Sequence, residues 1–89
     1  MSARVEYTDK AVKELKRLNR SDARRIVKKV GFYAAQKNPM KYAKRLRPPF
    51  DDVFRFRIGE YGVIFDMDDD GGISVLTVLG VKHRADAYR

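Results

Sequence analysis

The hydrophobic period changes once along this chain, from a helical repeat before Pro48-Pro49 to strict alternation from Val53. That change divides it into a helical half and a stranded half. In the second half Phe54, Phe56 and Ile58 face one way while Val53, Arg55 and Arg57 face the other, giving a strand with one apolar and one largely polar face. Gly59-Glu60 reads as a tight turn into a strand over 61–67, and residues 68–72 turn again into a strand over 73–79. Three antiparallel strands are expected there. In the first half Arg4 to Tyr7 alternates as a short strand, and Thr8 with Asp9 supplies a helix start. Val12, Leu15 and Leu18 then recur at helical spacing, with Lys10, Lys13, Arg17 and Arg20 opposite. Ser21 and Asp22 are expected to cap a second helix whose buried stripe is Ile26, Val30, Tyr33 and Ala34 and whose outer side carries Arg24, Arg25, Lys28 and Lys29. Asn38-Pro39 ends it, and residues 41–47 follow as a basic connector. The order β-α-α-β-β-β predicts an α+β domain spanning residues 1–89, a helical hairpin packed on one face of an antiparallel sheet.

At 89 residues and 44% hydrophobic, the chain has room for one modest core. It has no Cys, which excludes a disulfide framework and a thiolate metal site. The first residues lack the apolar core of a secretion signal and no later apolar run approaches the ~18 residues of a membrane span, so a soluble cytoplasmic protein is expected. The net charge of +8 is uneven: residues 1–50 hold 15 basic and 4 acidic side chains (+11), residues 51–89 hold 5 and 8 (−3). A basic half of this kind is an electrostatic footprint for a polyanion or an acidic partner.

Asp66-x-Asp68-x-Asp70-Gly71 matches the opening of a calcium loop, but its twelfth position is Thr77 and its flanks are strands, so it reads as a hairpin turn. A lone His without Cys cannot anchor zinc, and there is no Gly-rich phosphate loop. What remains is metal-free and cofactor-free chemistry by Arg55, Arg57, His83, Arg84 and Tyr88. Guanidinium groups stay protonated and present paired donors, which suits holding a phosphodiester and the extra charge of its transition state.

The block Arg55-Phe-Arg57-Ile-Gly59-Glu-Tyr61-Gly62 and the ending Lys82-His83-Arg84-Ala-Asp-Ala-Tyr88 resemble the signature of the RelE/ParE superfamily of type II toxins. Tyr7 before the Ala11, Leu15, Leu18 helix is similar to the family's N-terminus, and Lys44-Arg45-Leu46 to its basic-Leu element. The resemblance implies a microbial-ribonuclease-like fold. On its RelE side it implies ribosome-dependent cleavage of messenger RNA by 2′-hydroxyl attack, leaving a 2′,3′-cyclic phosphate, restrained by a small acidic RelB-like antitoxin in a hetero-oligomer. Arg55, Arg57 and Arg84 would then serve phosphate and transition-state charge. Lys82 or His83 would transfer a proton, and Tyr88 would stack on a base or join the proton transfer. Lys10, Lys13, Arg17, Arg24, Arg25, Lys28, Lys44, Arg45 and Arg47 would contact ribosomal RNA. Gly62 stands where the family carries an Arg, which implies a weakened toxin. The ParE side of the same family implies a protein that binds and poisons DNA gyrase and cuts no RNA. A non-toxic basic RNA-binding domain is the third possibility.

Overall fold

The computed structural model describes residues 3–46 and 53–87. A strand β1 (Arg4–Tyr7) leads into helices α1 (Asp9–Lys16) and α2 (Arg20–Ala34), and a short 3-10 helix (Pro39–Tyr42) follows. Strands β2 (Ala43–Arg45), β3 (Phe54–Ile58), β4 (Tyr61–Asp70) and β5 (Ile73–His83) come next, with the short helix α3 (Arg84–Ala87) after them. The five strands form one sheet in the order β1-β5-β4-β3-β2. This is the expected α+β architecture with two corrections. β1 joins β5 in parallel, so the sheet is mixed, and part of the basic connector is the strand β2, paired antiparallel with β3.

Local signals account for most boundaries. The Thr8 hydroxyl accepts the Ala11 N–H at 3.1 Å and caps α1, as its sequence indicates. The cap of α2 is Asn19 rather than Ser21 or Asp22: its carbonyl oxygen accepts the Asp22 N–H at 2.8 Å, which draws Ser21 and Asp22 into the first turn. Gly59 (φ 59°) and the pair Gly71 and Gly72 (φ 59° and 85°) make the two hairpin turns, in a region where a Cβ is strained. The second turn is tighter than the sequence suggests. Asp68, Asp69 and Asp70 lie on β4, and β5 runs four residues past Leu79.

α2 buries Ile26, Val30 and Ala34, and α1 buries Ala11, against Phe56, Ile58, Val63, Phe65, Leu76, Val78 and Val81 of the sheet. Phe56 stacks on Phe65 at 4.2 Å, and Tyr33 joins Phe56 at 4.7 Å and Tyr42 at 4.9 Å. Burying one such ring contributes about 1.5–3 kcal/mol. The helices cover one face of the sheet only. Among the described residues no helix is long and apolar enough to cross a membrane, and no group of acidic or His side chains could hold a metal ion.

Candidate active site

The sheet face away from the helices is where the candidate residues gather, and a bulge decides which of them arrive. On β3 the core side takes Phe54, Phe56 and Ile58, which leaves Arg55 and Arg57 on the open face. Arg57 pairs with Gly62, and Gly62 with Lys82, so the three lie in one row across β3, β4 and β5. On β5, Leu76 and Val78 point into the core, and continued alternation would send residue 83 to the open face. Ile64 pairs with Gly80 but Phe65 with Val78, so Leu79 is an extra residue and parity flips beyond it. Val81 returns to the core and Lys82 takes the open face.

A pocket of about 250 Å³ opens there, lined by Leu46, Arg55, Arg57, Tyr61, Gly62, Ile64, Lys82 and Arg84. Leu46 and Ile64 make its floor apolar, and four cations surround it. Arg84 begins α3 and is anchored by its N–H, which donates to the Glu60 carbonyl at 2.6 Å. Gly62 shapes the centre. A Cβ built there would lie 3.0 Å from Cδ and 3.5 Å from Cγ of Arg55, so the stem of Arg55 occupies the volume that a side chain at 62 would take.

Lys82 is tied to α1. Its ammonium donates to Glu14 Oε2 at 2.6 Å, while Glu14 Oε1 accepts the Val81 N–H at 2.9 Å. Partial burial pushes the Glu14 carboxyl up, but the hydrogen bonds from Lys82 and Val81, with the charges of Lys82 and Lys10, outweigh it and hold its pKa below the ordinary value. Nothing in the sequence marks Glu14. Its spacing is that of an ordinary helix position, and only the crossing of α1 over β5 brings it to the site.

His83 does not line the pocket. It sits edge-on to the Tyr61 ring at 5.2 Å, and its Nδ1 accepts the Ala85 N–H at 3.1 Å. Tyr61 donates from its hydroxyl to Asp22 at 2.8 Å, a bond that raises the phenol pKa, with burial adding to it. Asp22 also receives Asn19 at 3.2 Å and Arg25 at 3.4 Å. Lys44 pairs with Arg55 and shares the open face, while Arg45 lies over the Phe54 ring at 5.7 Å. Lys10 and Lys13 on α1, Arg17 at its C-cap, and Arg24, Arg25 and Lys28 on α2 are exposed on the helical layer. Arg47 and Tyr88 lie outside the described residues. At its other end the open face is acidic on balance: Glu6, Asp66, Asp68 and Asp69 surround a second depression together with Arg4, which pairs with Glu6 at 3.2 Å, and there burial and then the Asp68 charge raise the pKa of Asp66.

Known proteins share this arrangement of elements. The family model described as the ParE toxin of type II toxin-antitoxin systems matches residues 5–88. Toxin RelG of Mycobacterium tuberculosis is 29% identical over 85 residues, covering 96% of this chain and 94% of RelG. In the crystal structure of the toxin-antitoxin complex RelBE2 from the same organism, one chain superposes with a TM-score of 0.80 at 24% identity, covering 94% of this chain and all of that one. The archaeal RelE-RelB complex from Pyrococcus horikoshii matches with a TM-score of 0.69 at 27% identity over 94% of this chain and 97% of its own. The chain therefore belongs to the RelE/ParE superfamily of type II toxins.

Proposed function

We propose that this toxin is a ribosome-dependent messenger RNA endoribonuclease that acts in the cytoplasm without a metal. The observation that carries the proposal is the convergence of Arg55, Arg57, Lys82 and Arg84 around one pocket with an apolar floor. Three guanidinium groups supply paired donors to a phosphodiester, and Leu46 and Ile64 offer a surface for a base. In the step proposed, the 2′-oxygen attacks phosphorus and the bond to the 5′-oxygen breaks. The 2′-hydroxyl proton passes to solvent, and the Lys82 ammonium donates a proton to the departing 5′-oxygen. The products are a 2′,3′-cyclic phosphate and a 5′-hydroxyl. Arg55, Arg57 and Arg84 stabilise the added charge on the phosphoryl oxygens. Tyr88 keeps the stacking or proton-transfer role that the resemblance gives it.

The Gly62 site lacks one charge-assisted contact, which commonly corresponds to 10²–10³ in rate, roughly 3–4 kcal/mol, so the native activity is weak. A small acidic RelB-like antitoxin is the proposed restraint, held by the basic surface in a hetero-oligomer. The test is primer-extension mapping of translated messenger RNA after induction, repeated in vitro with a 2′-deoxy nucleotide at the cleaved position. Cleavage that persists without the 2′-hydroxyl would sink the mechanism. The match to the ParE family model favours a second reading, a gyrase poison. Its signature is a DNA damage response on induction, with translated RNA left intact.

A further inference from the structure

We infer that Glu14 is a positioning residue, whose carboxylate fixes the Lys82 ammonium at the rim of the pocket through a gap that Gly80 leaves open. The inference rests on Lys82 being one of the working cations of the proposed ribonuclease site. β1 stops covering the edge of β5 at Val78, whose carbonyl accepts the Thr8 N–H at 3.0 Å, and the Thr8 hydroxyl reaches the next carbonyl, of Leu79, at 3.3 Å. Beyond that point α1 covers the edge in place of a strand, and Glu14 Oε1 takes the Val81 N–H. A Cβ on residue 80 would stand 3.0 Å from that oxygen, so the carboxylate occupies the space a side chain would fill.

The Val81 N–H by itself needs only a neutral acceptor. The second oxygen, 2.6 Å from Lys82 Nζ, is what calls for a carboxylate. The exposures give the direction of the arrangement: the Glu14 side chain is 14% exposed and that of Lys82 is 44% exposed, so the anion is the anchored member and the cation the presented one. A free lysine stem samples many rotamers, and one held in place needs little further ordering when a substrate arrives.

Glu14→Gln separates the two bonds, because an amide oxygen can still accept the Val81 N–H while the charged partner of Lys82 is lost. Four proteins are compared: native, Glu14→Gln, Lys82→Met and the double variant, with Gly80→Ala as an independent way to displace the carboxylate. Single-turnover cleavage of ribosome-bound RNA should fall about tenfold for Glu14→Gln in the native background and by no more than about twofold in the Lys82→Met background, the non-additivity of two residues that act as a unit. The order of the Lys82 side chain, read from NMR relaxation of its Cε and Nζ, should drop in both Glu14→Gln and Gly80→Ala while the fold persists. Equal losses in the two backgrounds, or an unchanged Lys82 order, would overturn the role of Glu14. If none of the proteins cleaves RNA, the ribonuclease reading fails, and the relaxation of Lys82 still decides whether Glu14 holds it.

Discussion

Arg55 and Gly62 share one volume, and that sharing governs what a substitution at either can do. The first expectation for Gly62→Arg is a gain, since it supplies the guanidinium that the resemblance implies at this position. With the Arg55 stem 3.0 Å from the new Cβ, the incoming side chain moves Arg55 aside. The gain should therefore be about tenfold, short of the 10²–10³ of a full added contact. Arg55→Ala should cost roughly 10- to 100-fold in the native protein and much less in the Gly62→Arg background, measured as single-turnover cleavage in a four-protein cycle. Unchanged cleavage and cell growth for Gly62→Arg would remove residue 62 from the site. Tyr61 offers a stability test at the same scale. Tyr61→Phe deletes the bond to Asp22, but Asn19 and Arg25 still serve that carboxylate. A loss of about 1 kcal/mol in urea unfolding is expected. Because Asp22 raises the phenol pKa, this loss should not vary between about pH 5 and 9.

At the scale of elements, the sequence makes some features legible and conceals others for identifiable reasons. β1, the Thr8 cap, the α2 stripe and β3 carry strong periodic or capping signals, and each is found where those signals put it. β2 is hidden because Ala43, Lys44 and Arg45 form an edge too short to show alternation. The parallel pairing of β1 is a matter of topology, which no local pattern encodes. The choice between Lys82 and His83 turns on the Leu79 bulge, since a single unpaired residue exchanges the faces of everything after it. Acid titration tests two elements with opposite signs. Glu14 has a lowered pKa in the fold, so its contribution is complete above its ordinary value of 4.5 and is lost as the pH falls through the folded value. Asp66 has a raised pKa, so the fold binds its proton more tightly than the unfolded chain does, and stability falls as pH rises through the window above 3.8. Asp66→Asn should accordingly stabilise β4 at about pH 7, by roughly a few tenths of a kcal/mol once solvent screening is counted, with no benefit at about pH 3. Paired unfolding curves at the two pH values read both signs.

Over the whole molecule, the pocket cations and the exposed cations of α2 lie on opposite sides of the sheet. The pocket cations face one way and Arg24 and Lys28 of α2 the other, so one phosphate cannot touch both. The open face is itself polarised, cationic near Arg57 and Lys82 and acidic near Glu6, Asp66 and Asp68. On the proposed reading, an RNA strand entering the pocket would be repelled from the far end of the sheet, which would give the path across this face a direction. On the proposed ribonuclease reading the helical surface would dock on ribosomal RNA, a role that depends on backbone charge and is independent of the chemistry. Reversing Arg24 and Lys28 to Glu should weaken ribosome association and lower the slope of log K against log salt by about two, one for each lost phosphate contact. The rate of cleavage at saturating ribosome should stay as in the native protein. Arg57→Ala should do the reverse, slowing cleavage at saturation while changing the salt slope by no more than about one. Binding measured across a salt series, with single-turnover rates on the same samples, separates the two surfaces. If the helix reversals slowed the saturated rate as strongly as Arg57→Ala, docking and chemistry would share one surface, and the division of labour drawn from the opposite faces would be wrong.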